Sequence, residues 1–325
     1  MLKIDGSHLE GGGQIVRSAV ALSAVTGIPV EINRIRAKRK QAGLRFQHCA
    51  AVRTVACACD GDTEGNEPGS DRLLFFPGTI RRSACVDDVG TAGSIALVLQ
   101  SWLPVALTKG GILEVTGGTE VPASPTIDYL ENVLIPALGV TEGAVSVTVT
   151  RRGYYPAGGG FVRVSADSQN PGPISLKKDP SCGIRSCSSG LPAHVAERQA
   201  ATAQTMLSRV LGIEVPVDIQ RSEGRSKGSS CTAWYGSKGF SSLGSPGLPA
   251  EEVGKTAAAG LISEVNSPGE ADPYLSDQLL ISLARYGGSF TTSSYTLHAR
   301  TMCWLLALFG YEIQVREGRE VVFSA

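Results

Sequence analysis

The sequence predicts an α/β or α+β protein in which helices pack on sheets. Segments with apolar residues at helical spacing alternate with short strand-like runs along most of the chain. Hydrophobic residues make up 42% of the 325 residues, which is enough to bury a sizeable core. A chain of this length exceeds one small core, so we expect one large domain and a smaller one.

The apolar periodicity indicates helices at residues 12–26, 44–59, 92–107, 125–138, 194–211, 249–265, 273–286 and 297–309. Strand-like runs lie at residues 29–36, 72–77, 112–116, 144–150, 160–166, 214–220, 231–235, 312–316 and 319–323. Because the two kinds of segment alternate, most strands are expected to have a helix of the neighbouring sequence packed on them.

An internal similarity indicates a repeated unit. Gly11–Val16 opens one predicted helix, and Thr91–Ala96 opens another about 80 residues later. A third helix, which begins near Ser276, is a more distant candidate copy. These similarities predict a large domain built from repeats.

The stretch before this third helix has its own strand and helix pattern and a polar, Gly/Ser-rich segment from Ser222 to Ser230. The simplest interpretation is an inserted small domain. We therefore predict a large domain of residues 1–177 and 271–325, with residues 178–270 as a smaller inserted α/β domain.

The charge balance limits the classes of function. Lys and Arg together number 30, as do Asp and Glu, so the formal net charge is zero. This argues against a protein that coats nucleic acid through bulk charge, but it is compatible with a local basic groove.

The eight cysteines show no Cys-x2-Cys spacing of a zinc site, and we predict reduced thiols in a reducing compartment. The N-terminal residues lack a signal-peptide pattern, and the longest apolar runs hold about a dozen residues, too few to span a bilayer. A cytoplasmic protein without membrane contact is therefore expected.

Glu10–Gln14, a glycine run with acidic and amide neighbours, directly precedes the first long helix. Exposed backbone N–H groups at a helix start suit a phosphate, and Glu10 is a candidate ligand of a divalent metal on that phosphate. The alternative is a plain glycine-rich turn. The segment is not a P-loop, because no Gly-Lys-Ser/Thr follows.

A basic run without intervening acids begins within the predicted strand at residues 29–36; it contains Arg34, Arg36, Lys38, Arg39, Lys40 and Arg45. Alternation predicts that Arg34 and Arg36 share one face of a strand. Guanidinium groups match phosphate oxygens in pairs, so an anion site is favoured over a solvated charge run. The Arg151–Gly160 turn is also basic, but a structural hairpin is the preferred interpretation for it.

His298 lies at the start of a strongly apolar helix. The positive end of that helix favours the neutral, nucleophilic imidazole and attracts phosphate. Capping or packing is the alternative for a lone histidine. Tyr274, with Asp277 and Gln278 behind it, opens another helix and offers a ring and polar groups to a nucleoside, although simple N-capping explains this segment equally well.

Together these segments resemble the RNA 3′-terminal phosphate cyclase family over essentially the whole chain. The matching segments are Asp5–Ser18, Ile35–His48, Gly117–Pro125, Gly153–Gly160, His194–Arg198 and Tyr274–Gln278, in the family's order. The resemblance implies a large domain of three repeats, each like the C-terminal domain of a bacterial translation initiation factor, and a smaller inserted domain. A homodimer is also plausible by analogy.

The resemblance further implies ATP-dependent conversion of an RNA 3′-phosphate to a 2′,3′-cyclic phosphodiester. AMP is first bound covalently to a histidine, which matches His298, and is then passed to the RNA phosphate. Implied ATP-binding residues are Glu10, Gln100, Pro125, Tyr274, Leu275, Ser276, Asp277 and Gln278. Implied RNA or phosphate ligands are Arg17, Arg36, Arg39 and His48, and Glu10 would hold Mg²⁺ or Mn²⁺.

The sequence departs from the family after His298, where Thr301-Met302 replaces a frequent Thr-Asn pair. Two other functions are considered. A non-catalytic branch of the family, which serves in ribosome assembly, lacks the histidine that is present here. An enolpyruvyl transferase also contains repeated βαβ units, but it would need a different set of Lys, Arg and Asp residues for its acidic substrate.

Overall fold

The computed structural model describes residues 1–176, 181–223 and 226–325. In the first half of the chain the elements are β1 (Leu2–Asp5), α1 (Gly13–Thr26), β2 (Val30–Asn33), α2 (Phe46–Cys59), β3 (Asp62–Glu64), β4 (Leu73–Phe76), β5 (Ser83–Asp88), α3 (Ile95–Lys109), β6 (Gly111–Gly117), α4 (Ile127–Tyr129), α5 (Ile135–Ala137), β7 (Val145–Arg151) and β8 (Gly160–Ala166). A π-helical turn, Leu130–Leu134, joins α4 to α5. In the second half they are β9 (Cys182–Ser189), α6 (His194–Leu211), β10 (Val217–Ser222), β11 (Gly228–Tyr235), β12 (Lys238–Leu243), α7 (Ala250–Asn266), α8 (Pro273–Tyr286), β13 (Ser289–Thr292), α9 (Leu297–Leu308), β14 (Gln314–Glu317) and β15 (Val321–Ser324).

Two sheets share one topology. The first has the strand order β1-β2-β4-β3, and the second has the order β5-β6-β8-β7. In each, the first two strands are parallel and joined by a helix, α1 or α3, while the remaining pairs are antiparallel. A third sheet, β13-β15-β14, is antiparallel and has three strands. The division of the large domain into three repeats stays a prediction.

A fourth sheet, with the order β10-β9-β11-β12, packs with α6 and α7. We call this sheet and its two helices the small unit. It has a hydrophobic cluster of its own, which includes Ile184, Leu207, Ala257 and Leu261. The predicted domain boundary at residue 178, and Gly224 and Arg225 within the predicted Gly/Ser-rich segment, lie outside the described residues.

The main core forms around α1, α2 and α3, which pack against one another. Ile15, Leu22 and Trp102 are fully buried there. Burial of a large aliphatic or aromatic side chain contributes roughly 1.5–3 kcal/mol. Because these helices are apolar on most sides, they stay central in the molecule, and their N-terminal ends open to one side.

The predicted α+β class is confirmed, and each predicted helix is present. The unpredicted strands, among them β9 and β12, are polar or short: β9 reads CGIRSCSS and β12 reads KGFSSL. Their sequences lack an apolar alternation, so pairing with β11 on both sides of that strand defines them.

The cysteine prediction is wrong for two residues. Cys57 and Cys85 form a disulfide that joins α2 to β5, with a Cα–Cα distance of 6.1 Å. The two cysteines are 28 residues apart and meet only because α2 packs on β5, which their spacing does not reveal. The other six are free thiols. Among the described residues, no helix is long and apolar enough to cross a membrane.

Candidate active site

A cleft of about 750 Å³ opens at the N-terminal ends of five helices, α1, α2, α3, α8 and α9. Residues 239–241 of β12, from the small unit, form part of its wall. Helix N-termini carry partial positive charge and free N–H groups, so their convergence favours an anionic ligand. The cleft is lined by these predicted site residues: Glu10, Arg17, Arg36, Arg39, His48, Gln100, Pro125, Tyr274, Asp277, Gln278 and His298.

His298 is held by a hydrogen-bond chain that sequence reasoning missed. Its Nδ1 lies 3.0 Å from Oε1 of Gln14, and Nε2 of Gln14 donates to Oδ2 of Asp277 at 2.5 Å. Because the amide nitrogen faces the carboxylate, the amide oxygen faces the ring and accepts the Nδ1–H. The Nε2 of His298 therefore carries the lone pair.

The electrostatic surroundings keep this imidazole neutral. Burial lowers the pKa of His298 below its ordinary value, and the positive charges of Arg17 and Arg39 lower it further. Burial has the opposite effect on Asp277 and raises the pKa of that carboxyl to about 7, although Arg17 opposes the shift. His298 therefore presents an unprotonated ring nitrogen at neutral pH, which is a group capable of nucleophilic attack.

The glycine run allows two side chains to approach the backbone closely. A Cβ on Gly12 would lie 2.1 Å from Oε2 of Glu10, and a Cβ on Gly13 would lie 2.0 Å from Nε2 of His48. Gly12 is also the N-cap of α1, and no side chain caps the first N–H groups of this helix. The run therefore leaves an uncapped helix start beside a carboxylate and an imidazole.

Glu10 has one oxygen that is paired and one that is not. Its Oε1 forms an ion pair with Arg39, whose guanidinium also donates to the Glu10 carbonyl at 3.0 Å. Its Oε2 is buried without a hydrogen-bond partner among the described residues. The described residues hold no cluster of three or more metal-binding side chains. A single free carboxylate oxygen fits a magnesium ion that phosphates chiefly ligate.

The basic end of the cleft differs from the predicted strand face. Strand β2 ends at Asn33, and Arg34 and Arg36 both have φ of 55°, so they lie on a turn. Arg34 points away and pairs with Asp5 at 3.3 Å, whereas Arg36 lines the cleft and donates to the carbonyls of Gln41 and Gly43. The prediction that both arginines share one face is therefore wrong, because the backbone reverses there.

His48 is neutral and has a defined tautomer. The N–H of Arg45 donates to its Nδ1 at 3.0 Å, so the ring proton is on Nε2. Burial lowers the pKa of His48 well below its ordinary value, and Arg17 and Arg36 add to the shift. A neutral His48 therefore offers a single N–H donor, which lies against Gly13.

Four other lining residues of the cleft, Gln100, Pro125, Tyr274 and Gln278, suit a nucleoside. The ring of Tyr274 is 60% exposed, and Pro125 lines the same cleft. Gln100 donates from Nε2 to Oε1 of Gln278 at 2.7 Å, which orients both amides. Flat apolar surfaces beside oriented amides can hold an aromatic base and read its edge.

Two residues predicted to bind ATP do not line this cleft. Leu275 is fully buried in the main core, and the hydroxyl of Ser276 donates to the Pro273 carbonyl at 2.8 Å. Both side chains point inward because helical spacing turns them away from Tyr274 and Gln278. They contribute to packing rather than to the cleft.

Asp272 is a residue that sequence reasoning missed. It is fully buried, caps α8 by accepting from the N–H groups of Tyr274 and Leu275, and also accepts from the Tyr129 hydroxyl and the Gly239 N–H. It thereby ties α8 and α4 to β12 of the small unit. The Asp-Pro pair at the start of a helix was the available signal, since Asp is a preferred N-cap and Pro a preferred first residue.

Comparisons with known proteins agree with this geometry. A model of the family described as RNA 3′-terminal phosphate cyclase matches residues 8–315. The chain belongs to this family. It is 42% identical to the RNA 3′-terminal phosphate cyclase of Methanococcoides burtonii, over 95% of this chain and 94% of that protein. Its identity to the proteins of that name from Methanosarcina mazei and Saccharolobus islandicus is 41% and 40%, with at least 98% of each chain covered.

The predicted membership in this enzyme family is thereby confirmed.

Not every family motif belongs to the cleft, however. His194 opens α6 in the small unit and is exposed. The Arg151–Gly160 turn has a structural role: Arg152 is buried and donates to both carboxylate oxygens of Asp128 at 2.8 Å. The preferred interpretation of that turn as structural agrees with these contacts.

Proposed function

We propose that the protein converts the 3′-terminal phosphate of RNA to a 2′,3′-cyclic phosphodiester at the expense of ATP, through an AMP bound to His298. The observation that carries the proposal is the Asp277–Gln14–His298 chain in a cleft of helix N-termini. An oriented imidazole, the charge of Arg17 and the exposed ring of Tyr274 line the same cleft. The name of the relatives, RNA 3′-terminal phosphate cyclase, indicates the RNA 3′-phosphate as the substrate.

In the first step, Nε2 of His298 attacks the α-phosphorus of ATP, and the bond to the oxygen that bridges to the β-phosphorus breaks. Pyrophosphate leaves and AMP remains on the ring. The ring becomes cationic as the P–N bond forms, and Gln14 continues to accept the Nδ1–H while Asp277 holds Gln14. The charge of Arg17 and the N-termini of α1 and α9 stabilise the negative charge on the phosphoryl oxygens.

In the second step, an oxygen of the RNA 3′-phosphate attacks the adenylate phosphorus. The P–N bond breaks, its electron pair returns to His298, and an RNA-(3′)pp(5′)A intermediate forms. In a third step the 2′-hydroxyl releases its proton to solvent and attacks the adjacent 3′-phosphorus, the bond from that phosphorus to the bridging oxygen breaks, and AMP leaves with that oxygen. Covalent catalysis thus divides one difficult exchange into easier ones. Arg36, Arg39 and the Nε2–H of His48 would hold the RNA phosphate during these steps.

A divalent metal, Mg²⁺ or Mn²⁺, would be held by the free Oε2 of Glu10 together with the phosphates. When bound, such an ion neutralises phosphate charge and makes pyrophosphate a better leaving group. Gly12 leaves the space that this carboxylate oxygen occupies.

The test is transfer of label from ATP labelled at the α-phosphate, followed by denaturing electrophoresis. The wild-type protein is expected to retain label that is stable to base and labile to acid, as a phosphoramidate is. The His298→Ala variant is expected to retain none. His194→Ala is the matched control, because this exposed histidine lies in the small unit, and it should label normally. A labelled His298→Ala protein would contradict the proposal.

The alternative, a non-catalytic member of the family, predicts the opposite result in the labelling experiment. A ribosome-assembly factor of this fold would show no transfer of AMP and no cyclisation of RNA 3′-phosphate ends. The orientation of His298 by Gln14 and the lowered pKa of the imidazole favour the catalytic function.

A further inference from the structure

The basic end of the cleft continues onto an exposed surface at the start of α2. Gln47 and His48, in the first turn of this helix, line the cleft. The two preceding residues, Arg45 and Phe46, are exposed, and Phe46 is 46% accessible as a residue. A large apolar ring therefore lies at the rim, immediately beside residues that face the phosphate site.

The ring of Phe46 is left uncovered by its neighbour. The loop before α3 approaches it at Gly90, which has φ of 72°, and a Cβ there would lie 4.0 Å from the ring. Gly90 has no side chain to cover the ring. Gln47 fixes this loop to α2, because its Oε1 accepts from the Ser94 N–H at 3.1 Å.

A second exposed aromatic residue lies on a separate turn, between β7 and β8, that packs against this loop. Tyr155 is 65% exposed, and its turn packs closely on the loop, since a Cβ on Gly158 would lie 2.7 Å from the Cα of Ala92. The loop of residues 89–94 thus contacts Phe46 and also the turn that carries Tyr155. Arg45 adjoins Phe46 in sequence, and Lys38 and Lys40 flank Arg39, which lines the same cleft as Gln47 and His48. We call Phe46, Arg45, Lys38 and Lys40 the rim platform.

The charges of the rim platform fit a polyanion. Arg45, Lys38 and Lys40 are exposed, and none of them forms an ion pair with a carboxylate in the part of the chain that the structure describes. This occurs in a chain whose formal net charge is zero. Exposed aromatic rings beside unpaired cations are the combination that binds single-stranded nucleic acid, whose bases stack while its phosphates pair with the cations.

We propose that Phe46 stacks on a nucleobase of the RNA strand that leads to the phosphorylated end, with Arg45, Lys38 and Lys40 on the adjoining phosphates. This inference rests on the proposed function, because that function brings an RNA 3′ end into the basic end of the cleft. Stacking is tolerant of base identity, so the platform holds the strand without selecting its sequence.

The experiment compares wild type, Phe46→Ala and Phe46→Trp in cyclisation of a short 3′-phosphorylated RNA. Phe46→Ala is expected to raise KM about tenfold, within the range of single base–aromatic stacks, and to leave kcat and labelling of the protein by ATP unchanged. Phe46→Trp is expected to restore KM. Ile213→Ala, an equally exposed apolar residue of the small unit, is the matched control and should behave as wild type.

A second substrate separates stacking from a general effect on the surface. RNAs with a single abasic nucleotide at each of the last few positions are expected to include one that raises KM for wild type as much as Phe46→Ala does. The same RNA should cause no further rise with Phe46→Ala, because the two partners of one contact have then both been removed.

Three outcomes overturn the inference. If KM of Phe46→Ala equals that of wild type on every RNA, the platform is not used, while labelling and cyclisation by wild type leave the proposed function intact. If Phe46→Ala instead changes only the oligomeric size of the protein in gel filtration, the surface binds protein. If wild type neither accepts label nor cyclises RNA, the proposed function fails and the inference fails with it.

Discussion

Two groups of arginines in this molecule lie in opposite electrostatic surroundings. Arg152 and Arg185 lie at the junction between the main core and the small unit, whereas Arg17 and Arg36 line the cleft. At the junction each guanidinium faces several carboxylates. In the cleft, by contrast, neither Arg17 nor Arg36 forms an ion pair with a carboxylate of the described residues, although Arg39 beside them pairs with Glu10.

The junction is saturated with partners. Arg152 contacts Glu120 and Asp128, while Arg185 contacts Asp128, Glu131 and Asp218. Burial alone would lower the pKa of Arg152, but Asp128 and Glu120 outweigh it and raise the pKa well above its ordinary value. Such a network holds two layers in a fixed orientation and leaves no charge for a ligand.

In the cleft, the effect of burial on the pKa of an arginine outweighs the effect of the neighbouring carboxylate. Burial lowers the pKa of Arg17 to about 10, and Asp277 only partly compensates. No hydrogen bond joins the Arg17 guanidinium to another described residue, and it remains charged at neutral pH. A charge held without a full set of partners is pre-organised for an incoming phosphate. The two groups of arginines therefore differ in their carboxylate partners rather than in their burial, and under the proposed function those of the cleft would bind phosphate.

The largest expected effect concerns the junction. Arg152→Met should lower the free energy of unfolding by about 3–5 kcal/mol, because buried Glu120 loses its counter-charge and buried Asp128 keeps only the longer contact with Arg185. Urea unfolding measures this change. Arg198→Gln, which removes an exposed pair with Glu251, is the control and should unfold as wild type does. An Arg152→Met protein as stable as wild type would show that the charges at the junction do not stabilise the fold.

A smaller effect, and one of a different kind, is expected in the cleft. Arg17→Met should reduce RNA cyclisation about 100-fold, the usual result of removing one donor to a developing phosphate charge. Methionine retains the apolar stem, and the lost charge has no full partner, so the stability should not decrease. Kinetics and urea unfolding on one preparation test both statements. If Arg17→Met lost stability but kept its activity, Arg17 would be a structural residue like Arg152.

The smallest expected effect is a change in the pH dependence of labelling by ATP. His298 must be neutral to attack, and its pKa is lowered, so this titration lies below pH 6.5. Asp277 titrates near pH 7, and its anion strengthens the chain through Gln14 to His298, so labelling should rise as the pH increases through about 7. Rates of labelling from pH 5.5 to 8.5 provide the measurement.

The Asp277→Asn variant isolates this second titration. An amide oxygen still accepts from Gln14 but does not titrate, so the rise near pH 7 should disappear while the lower limb due to His298 remains. An unchanged profile would assign the rise to another group.

Much of the fold was accessible from the sequence because apolar periodicity reports burial directly. The predicted helix at 194–211 coincides with α6, and that at 273–286 coincides with α8. Strands such as β9 and β12 were missed because partners distant in sequence, and not their own pattern, define them. The turn at Arg34 was misassigned for a related reason, since positive φ at an arginine has no compositional signal.

The residues of the candidate site also fall into two groups: those that a sequence motif identified and those that only their contacts in the structure revealed. Motifs identified Glu10, Arg17, Asp277 and His298, which all line one cleft, but they assigned no task to Gln14. Its role depends on two contacts across 284 and 263 residues of sequence, which no local pattern encodes. Leu275 and Ser276 were included by motif, yet helical geometry turns them into the core.

The sequence by itself determined the fold class and the helices, because apolar periodicity is a local property. The order of its motifs indicated the family and the residue types that can handle phosphate. Only the tertiary structure decided which arginines are free and which are satisfied, which cysteines pair, and which tautomer His298 adopts. Those properties depend on what lies within a few ångströms of a side chain, and such neighbours come from distant parts of the chain.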